Sequence, residues 1–202
     1  MHVTLPELEA PAKIVFDSEQ RFDNDAYFAF CAANPDLRIE RSSRGEIIIV
    51  PPAGSESSHL NLRICMQLGI WADEDGRGKA FDSSGEFILP SGAAYAPDAS
   101  WVSNVPLSRF TKKQRRKFLA VVPEFVIEVM SPSDRLAKAQ QRAQEWINEG
   151  VDLVWLIDGH TKTVYVYRSS EGPEKFTGLS KIAGEGPVEG FVLQLSKIWA
   201  GL

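Results

Sequence analysis

Between Glu124 and Ile157 the sequence changes period twice. Glu124-Phe125-Val126-Ile127-Glu128-Val129-Met130 reads as a strand, and Ser133-Asp134 as the cap of a helix that runs to Asn148-Glu149 and is closed by Gly150. Leu153 to Ile157 reads as a second strand. A strand, helix, strand unit constrains the fold more than any other feature of the chain. The helix must lie across the sheet to bury its apolar stripe, and this brings its first turns near the strand that precedes it.

The remaining pattern fits around that unit. Residues 23 to 33 predict a capped helix that stops before Asn34-Pro35, and Leu37 to Arg41 with Glu46 to Val50 predict a hairpin. After the Pro51-Pro52 break, Leu60, Ile64, Leu68 and Trp71 recur at helical spacing in a helix ending near Asp75-Gly76. Strands follow at Lys79 to Asp82, Glu86 to Leu89 and Tyr95 to Val102. Later ones are expected at Thr163 to Tyr167, Lys175 to Thr177 and Phe191 to Leu195, completing one mixed sheet. With 202 residues and 44% hydrophobic content, the chain can bury one real core, so one domain over 1–202 is expected, with residues 1–20 as a flexible extension.

Two of these strands carry an acid where a strand favours an apolar residue. Asp98 lies in Tyr95-Ala96-Pro97-Asp98-Ala99-Ser100-Trp101-Val102, and Glu128 interrupts the row formed with Val126 and Met130. Ionised carboxylates are costly to bury unless paired or bound to a cation. Two of them, 30 residues apart on separate strands, point to a divalent-metal site. Paired acids also describe glycosidases, and a separation that converges on one cation would distinguish the metal site.

Cations accompany the acids. At about 100° per residue, Leu136, Ala139, Ala143, Trp146 and Ile147 form the buried stripe of the second helix, Arg142 sits about 40° from Trp146 at its edge, and Lys138 turns toward solvent. Arg142 is therefore the better-placed cation for an acid site on the sheet, although an edge arginine also snorkels over apolar surface or pairs with Glu145 or Glu149. From Arg109 to Lys117, six of nine residues are cationic, among them Lys112, Lys113, Arg115, Arg116 and Lys117. This run reads either as a solvated helical turn or as a clamp on backbone phosphates. The net charge of -5 excludes wholesale attraction to nucleic acid and confines that clamp to a local patch.

Other features narrow the field. Cys31 and Cys65 lack metal-finger spacing and predict neither disulfide nor zinc. No phosphate-binding glycine loop and no Gly-x-Ser-x-Gly elbow competes with the metal reading. No leader pattern or stretch approaching roughly 18 uncharged apolar residues is found, which predicts a cytoplasmic protein without membrane association. Glu46, Glu56 and Glu86 stand near strand or helix starts, where an N-terminal carboxylate favours a helix without any catalytic purpose. His2, His59 and His160 share no spacing.

Read together, Phe81-Asp82-Ser83-Ser84, Leu89-Pro90-Ser91-Gly92, Pro97-Asp98-Ala99-Ser100-Trp101-Val102, Glu124 to Asp134, Asn148-Glu149-Gly150, Trp155-Leu156-Ile157-Asp158 and Val164 to Arg168 resemble the bacterial Uma-two family of restriction-endonuclease-like proteins. The resemblance runs in unbroken order from about residue 20 to Trp199. That family is placed in the PD-(D/E)XK nuclease superfamily. The resemblance implies an α/β restriction-endonuclease-like core, a mixed β-sheet flanked by helices, with an N-terminal helix and β-hairpin. It further implies hydrolysis of DNA phosphodiesters by Mg²⁺, with Mn²⁺ as a substitute, held by Asp98, Glu128 and the carbonyl of Val129. A homodimer is expected by analogy with duplex-cutting nucleases, in which each protomer addresses one strand, and the segment Phe191 to Trp199 is the expected contact.

In some nucleases of that superfamily an extra acid from the first core helix binds the metal, and Glu56 is the nearest match by order. The chain departs from the family pattern in its cations, and Tyr95-Ala96 precede Pro97 where the family often carries a basic residue. Met130 stands where the superfamily carries its lysine, and Arg142 stands where this family places a replacement lysine on the following helix. Arginine keeps the charge but is effectively never deprotonated, so it can offset phosphoryl charge and cannot act as general base. Lys138, one turn earlier, is the alternative. The same departure opens a second expectation, an inactive nuclease-fold domain that binds nucleic acid or protein.

Overall fold

A computed structural model describes residues 12–14 and 22–201. In chain order the elements are β1 (Ala12–Ile14), α1 (Asn24–Ala32), β2 (Arg38–Arg41), β3 (Ile47–Val50), α2 (Ser55–Asp75), β4 (Gly78–Asp82), β5 (Phe87–Ile88), β6 (Ala94–Tyr95) and β7 (Ala99–Ser103). They continue with α3 (Asn104–Ser108), β8 (Phe125–Met130), α4 (Leu136–Asn148), β9 (Leu153–Asp158), β10 (Thr163–Arg168), β11 (Glu171–Thr177), β12 (Ile182–Ala183), β13 (Val192–Leu193) and α5 (Leu195–Trp199). These form two compact units, each assembled from three chain segments: 1–52, 86–96 and 111–121 in the first, 53–85, 97–110 and 122–202 in the second. The expected extension over residues 1–20 lies outside the described residues except for β1, which pairs with β3.

The first unit is a five-stranded antiparallel sheet in the order β1-β3-β2-β6-β5. Helix α1 starts as its sequence predicts, with Asp23 accepting a hydrogen bond from the Ala26 N–H at 2.7 Å. Tyr27 and Phe30 from α1 bury themselves with Ile39, Ile47, Ile88 and Ala94. A polar cluster runs through this core. Arg41, only 4% exposed, donates to the carbonyls of Gly92 and Phe22 and to Asn24, with its guanidinium 4.6 Å from the Tyr27 ring centroid. The Tyr27 hydroxyl donates to Glu86 at 2.7 Å.

The second unit is a six-stranded sheet in the order β11-β10-β9-β8-β7-β4, in which β8 and β9 are the parallel pair and the other neighbours run antiparallel. Helix α4 is the crossover that the parallel pair requires. On one face, Leu60, Ile64, Leu68 and Ala72 of α2 pack on Phe125, Ile127, Trp155 and their neighbours. Gly78 lets Trp101 lie against the backbone of β4, since a Cβ there would stand 2.4 Å from the indole. On the opposite face, Ala143 and Trp146 of α4 are fully buried. The sheet is therefore mixed and covered by a helix on each side.

Three expectations are corrected. The expected strand Tyr95 to Val102 is two strands in two sheets, because Pro97 offers no N–H to a ladder and the chain passes there from one unit to the other. Helix α4 begins at Leu136, after an Arg135 cap. Asp134 does not cap it, since its carboxylate accepts from the Ser131 N–H at 2.7 Å and closes the preceding turn, and Leu136 is left exposed. Finally, Val192–Leu193 pairs with β12 in a separate two-stranded sheet, and Leu195–Trp199 is helical. Phe191, Leu193, Leu195 and Ile198 of the segment expected at a dimer contact belong to the chain's own core, while Val192 is exposed.

Burial, and secondarily the nearby Glu40, raise the Glu86 carboxyl from its ordinary 4.5 to about 8, while Tyr27, Arg41 and Arg38 pull the other way. The folded state thus holds this proton more tightly than the unfolded chain. The associated stability is complete below 4.5 and is lost as pH rises through about 8. The urea midpoint of unfolding is expected to fall across that window, and Glu86→Gln, which keeps an acceptor for Tyr27, to flatten the fall. A Glu86→Gln profile parallel to wild type would refute this account.

Candidate active site at the edge of β8

The ladder between β7 and β8 ends at the pair Ala99 and Ile127. Beyond it, the side chain of Asp98 takes over the role of the missing strand, its Oδ2 accepting from the Val129 N–H at 2.8 Å. The N–H and C=O of one strand residue point to the same edge, so the Val129 carbonyl faces the edge where Asp98 sits. The other carboxylate oxygen, Oδ1, meets Asn61 Nδ2 of α2 at 3.4 Å. Asn61 in turn accepts from Cys65 Sγ at 3.4 Å, and Cys65 also approaches the Asp98 carbonyl at 3.5 Å. Burial first, then the charges of Asp82 and Asp98, push the Cys65 thiol up to about 11, so it remains a protonated donor at neutral pH.

Glu128, with a side chain 16% exposed, projects from β8 toward α4. Its Oε1 accepts from the Trp146 indole N–H at 2.6 Å and lies 3.4 Å from Arg142 Nε. The Arg142 guanidinium also stands 5.4 Å from the Trp146 ring centroid. Arg142 and Trp146 are one helical turn apart on α4, so a single face of that helix delivers both groups to one carboxylate oxygen. Helices from both faces of the sheet thus converge on the same end of β8: α2 through Asn61, α4 through Arg142 and Trp146.

The sequence candidates separate. Asp98 accepts from the Val129 N–H and Arg142 lies beside Glu128, the preceding residue of β8, whereas Lys138 is exposed in the first turn of α4. Lys112, Lys113, Arg115, Arg116 and Lys117 belong to the first unit, around a short 3₁₀ turn at Gln114–Arg116. There Lys117 pairs with Asp25 of α1 at 2.8 Å. On α2 the neutral Asn61 touches the Asp98 carboxylate. Glu56 instead lines a small cavity with Ser57, Leu60, Ser131, Asp158 and His160. Asn61 and the polar edge of Trp146 were not singled out in the sequence. The spacing of Trp146 from Arg142 was the available signal for one, and for Asn61 none was.

Two carboxylates and a main-chain carbonyl are hard oxygen donors, the kind Mg²⁺ takes while keeping several waters. Among the described residues no group of three or more His, Cys, Asp or Glu gathers as a metal cluster. Among the described residues, no helix is long and apolar enough to cross a membrane.

The family model described as "Putative restriction endonuclease", Uma2, matches residues 25–196, and the chain belongs to that family. A crystal structure of a putative nuclease from Anabaena variabilis superposes with a TM-score of 0.66 at 19% identity, covering 82% of this chain and 91% of that one, a likeness of fold. No curated protein matches the sequence.

Trp146→Phe removes the indole donor together with part of the buried ring volume, so a double-mutant cycle is what isolates the Trp146 contact. Trp146→Phe is expected to lower stability by about 1–3 kcal/mol, the range for losing a hydrogen bond to a charged buried group. Equilibrium denaturation measures this, and a loss no larger than that of Trp146→Phe in a Glu128→Leu background, which has no acceptor, would show that the indole and the carboxylate are not coupled.

Proposed function

We propose that this member of the Uma2 family is a Mg²⁺-dependent endonuclease that hydrolyses DNA phosphodiester bonds. The observation that carries the reading is the hydrogen bond from the Val129 N–H to Asp98, which ties one carboxylate to the strand end that bears the other. Asp98, Glu128 and the Val129 carbonyl would hold the ion. When bound, it supplies Lewis-acid polarisation of the phosphoryl oxygen and a more acidic bound water.

The chain's own residues define the rest. Trp146 fixes the orientation of Glu128, and Asn61 reaches Asp98 from α2. Arg142 offsets negative charge on the phosphoryl group and, remaining protonated, takes no proton from water. Lys138 is the second cation on the same helix. The run from Lys112 to Lys117 grips backbone phosphates without reading sequence.

One observation favours a second reading, an inactive nuclease-fold domain that binds nucleic acid or a protein. The guanidinium of Arg142 already lies beside Glu128, where it competes with a cation for the same carboxylate.

Cleavage of supercoiled plasmid separates the two. Wild-type protein is expected to nick in Mg²⁺ or Mn²⁺ and not in EDTA, with Asp98→Ala and Glu128→Ala reduced to the EDTA level. Undiminished nicking by those variants would overturn the assignment. A folded wild type that retains DNA in EDTA but never cuts would leave the binding domain, and gain of cleavage in Arg142→Lys would locate its cause.

A further inference from the structure

Helix α2 is apolar on two opposite faces. Its inward stripe, Leu60, Ile64, Leu68 and Ala72, fills the core of the second unit. About half a turn away, at 100° per residue, Leu62, Met66 and Ile70 line up at successive turns. These three are 57%, 49% and 59% exposed, an unusual row for the outer face of a helix already packed on a sheet. Beside them stands Gly69, where an added Cβ would meet nothing within 4 Å. Glycine is disfavoured in a helix interior, and here the chain's own packing gives no reason for it. A bare backbone at that point lets a second helix come close.

The charges around the row say which helix. His59 and Arg63 lie on its N-terminal side, Asp73 and Glu74 on its C-terminal side. If α2 meets a copy of itself antiparallel about a two-fold axis at Met66, each residue faces the one equally far on the other side of Met66. Leu62 then meets Ile70, His59 meets Asp73, and Arg63 lies over Gly69 within reach of Asp73. The helix dipoles also oppose favourably. A parallel pairing would instead set like charges together.

We propose that this outward face of α2 is a self-complementary contact through which two copies of the chain associate antiparallel. The inference rests on α2 alone and is independent of the nuclease reading. One face of one helix offers an area at the small end for specific association, so the dimer is concentration-dependent.

The test uses the full chain. Light-scattering mass across a dilution series is expected to climb toward twice the chain mass for wild type and to stay at one chain mass for Met66→Glu, with circular dichroism unchanged. Asp73→Lys is expected to shift the wild-type transition to higher concentration, and mixing it with an Arg63→Glu, His59→Glu protein to recover the doubled mass. Under oxidation Met66→Cys should cross-link above the wild-type background set by Cys31 and Cys65. Leu62→Cys should cross-link with Ile70→Cys and not with itself. A wild type of single mass throughout overturns the proposal and leaves the row to a different partner. A dimer that survives folded Met66→Glu overturns it by moving the contact elsewhere. If Met66→Glu unfolds, the charge pair and the cross-links decide by the same criteria.

Discussion

The carboxylate of Glu128 sits in an apolar row under a helix, and the indole N–H of Trp146 is what makes that position tenable. The contact does more than satisfy a buried acid. It joins the fully buried Trp146 of α4 to one particular residue of β8, so the helix cannot slide along the sheet without leaving a charge unpaired. Apolar burial drives α4 onto the sheet without direction, and this hydrogen bond supplies the register. Arg142, one turn before Trp146, reaches the same oxygen.

Asp98 is governed by a different constraint. The β7 ladder stops at Ala99, and the next backbone donor on that edge of β8 would be left without a partner. A carboxylate answers that need and, unlike a backbone carbonyl, still presents a second oxygen, which α2 meets with an amide. A structural requirement and a chemical opportunity thus coincide at one residue. This is why an acid can occupy a strand entrance without disrupting the core around Ala99 and Ile127, both of them fully buried.

Much of this was legible in the sequence. The periods around β8, α4 and β9 announced the crossover, Asp23 and Gly76 marked helix ends, and the acids at 98 and 128 stood out because they broke an apolar pattern. What could not be read depended on contacts distant in sequence. Asp134 has the residue type of a helix cap, and only the folded turn reveals that Ser131 engages it. Tyr95 to Val102 reads as one strand, yet its two halves join different sheets. Nothing local distinguishes Asn61 from any other polar residue on α2, and Glu86 reads as an acid near a strand start, with no local sign that Tyr27 donates to it. The Leu62, Met66 and Ile70 row was invisible because the inward stripe had already explained the helix.

The interleaving of the two units bears on how the chain is made. Each draws on three separate stretches, so neither exists as a continuous piece of the message. During synthesis the first unit lacks its last segment until residue 121 has emerged. By then α2, β4 and β7 of the second unit are already out, with the parallel pair they pack against still to come. Asp98 therefore leaves the ribosome well before the strand whose N–H it will cap. The acid site is among the later features to form, and the apolar faces of α2 are exposed together in the interval.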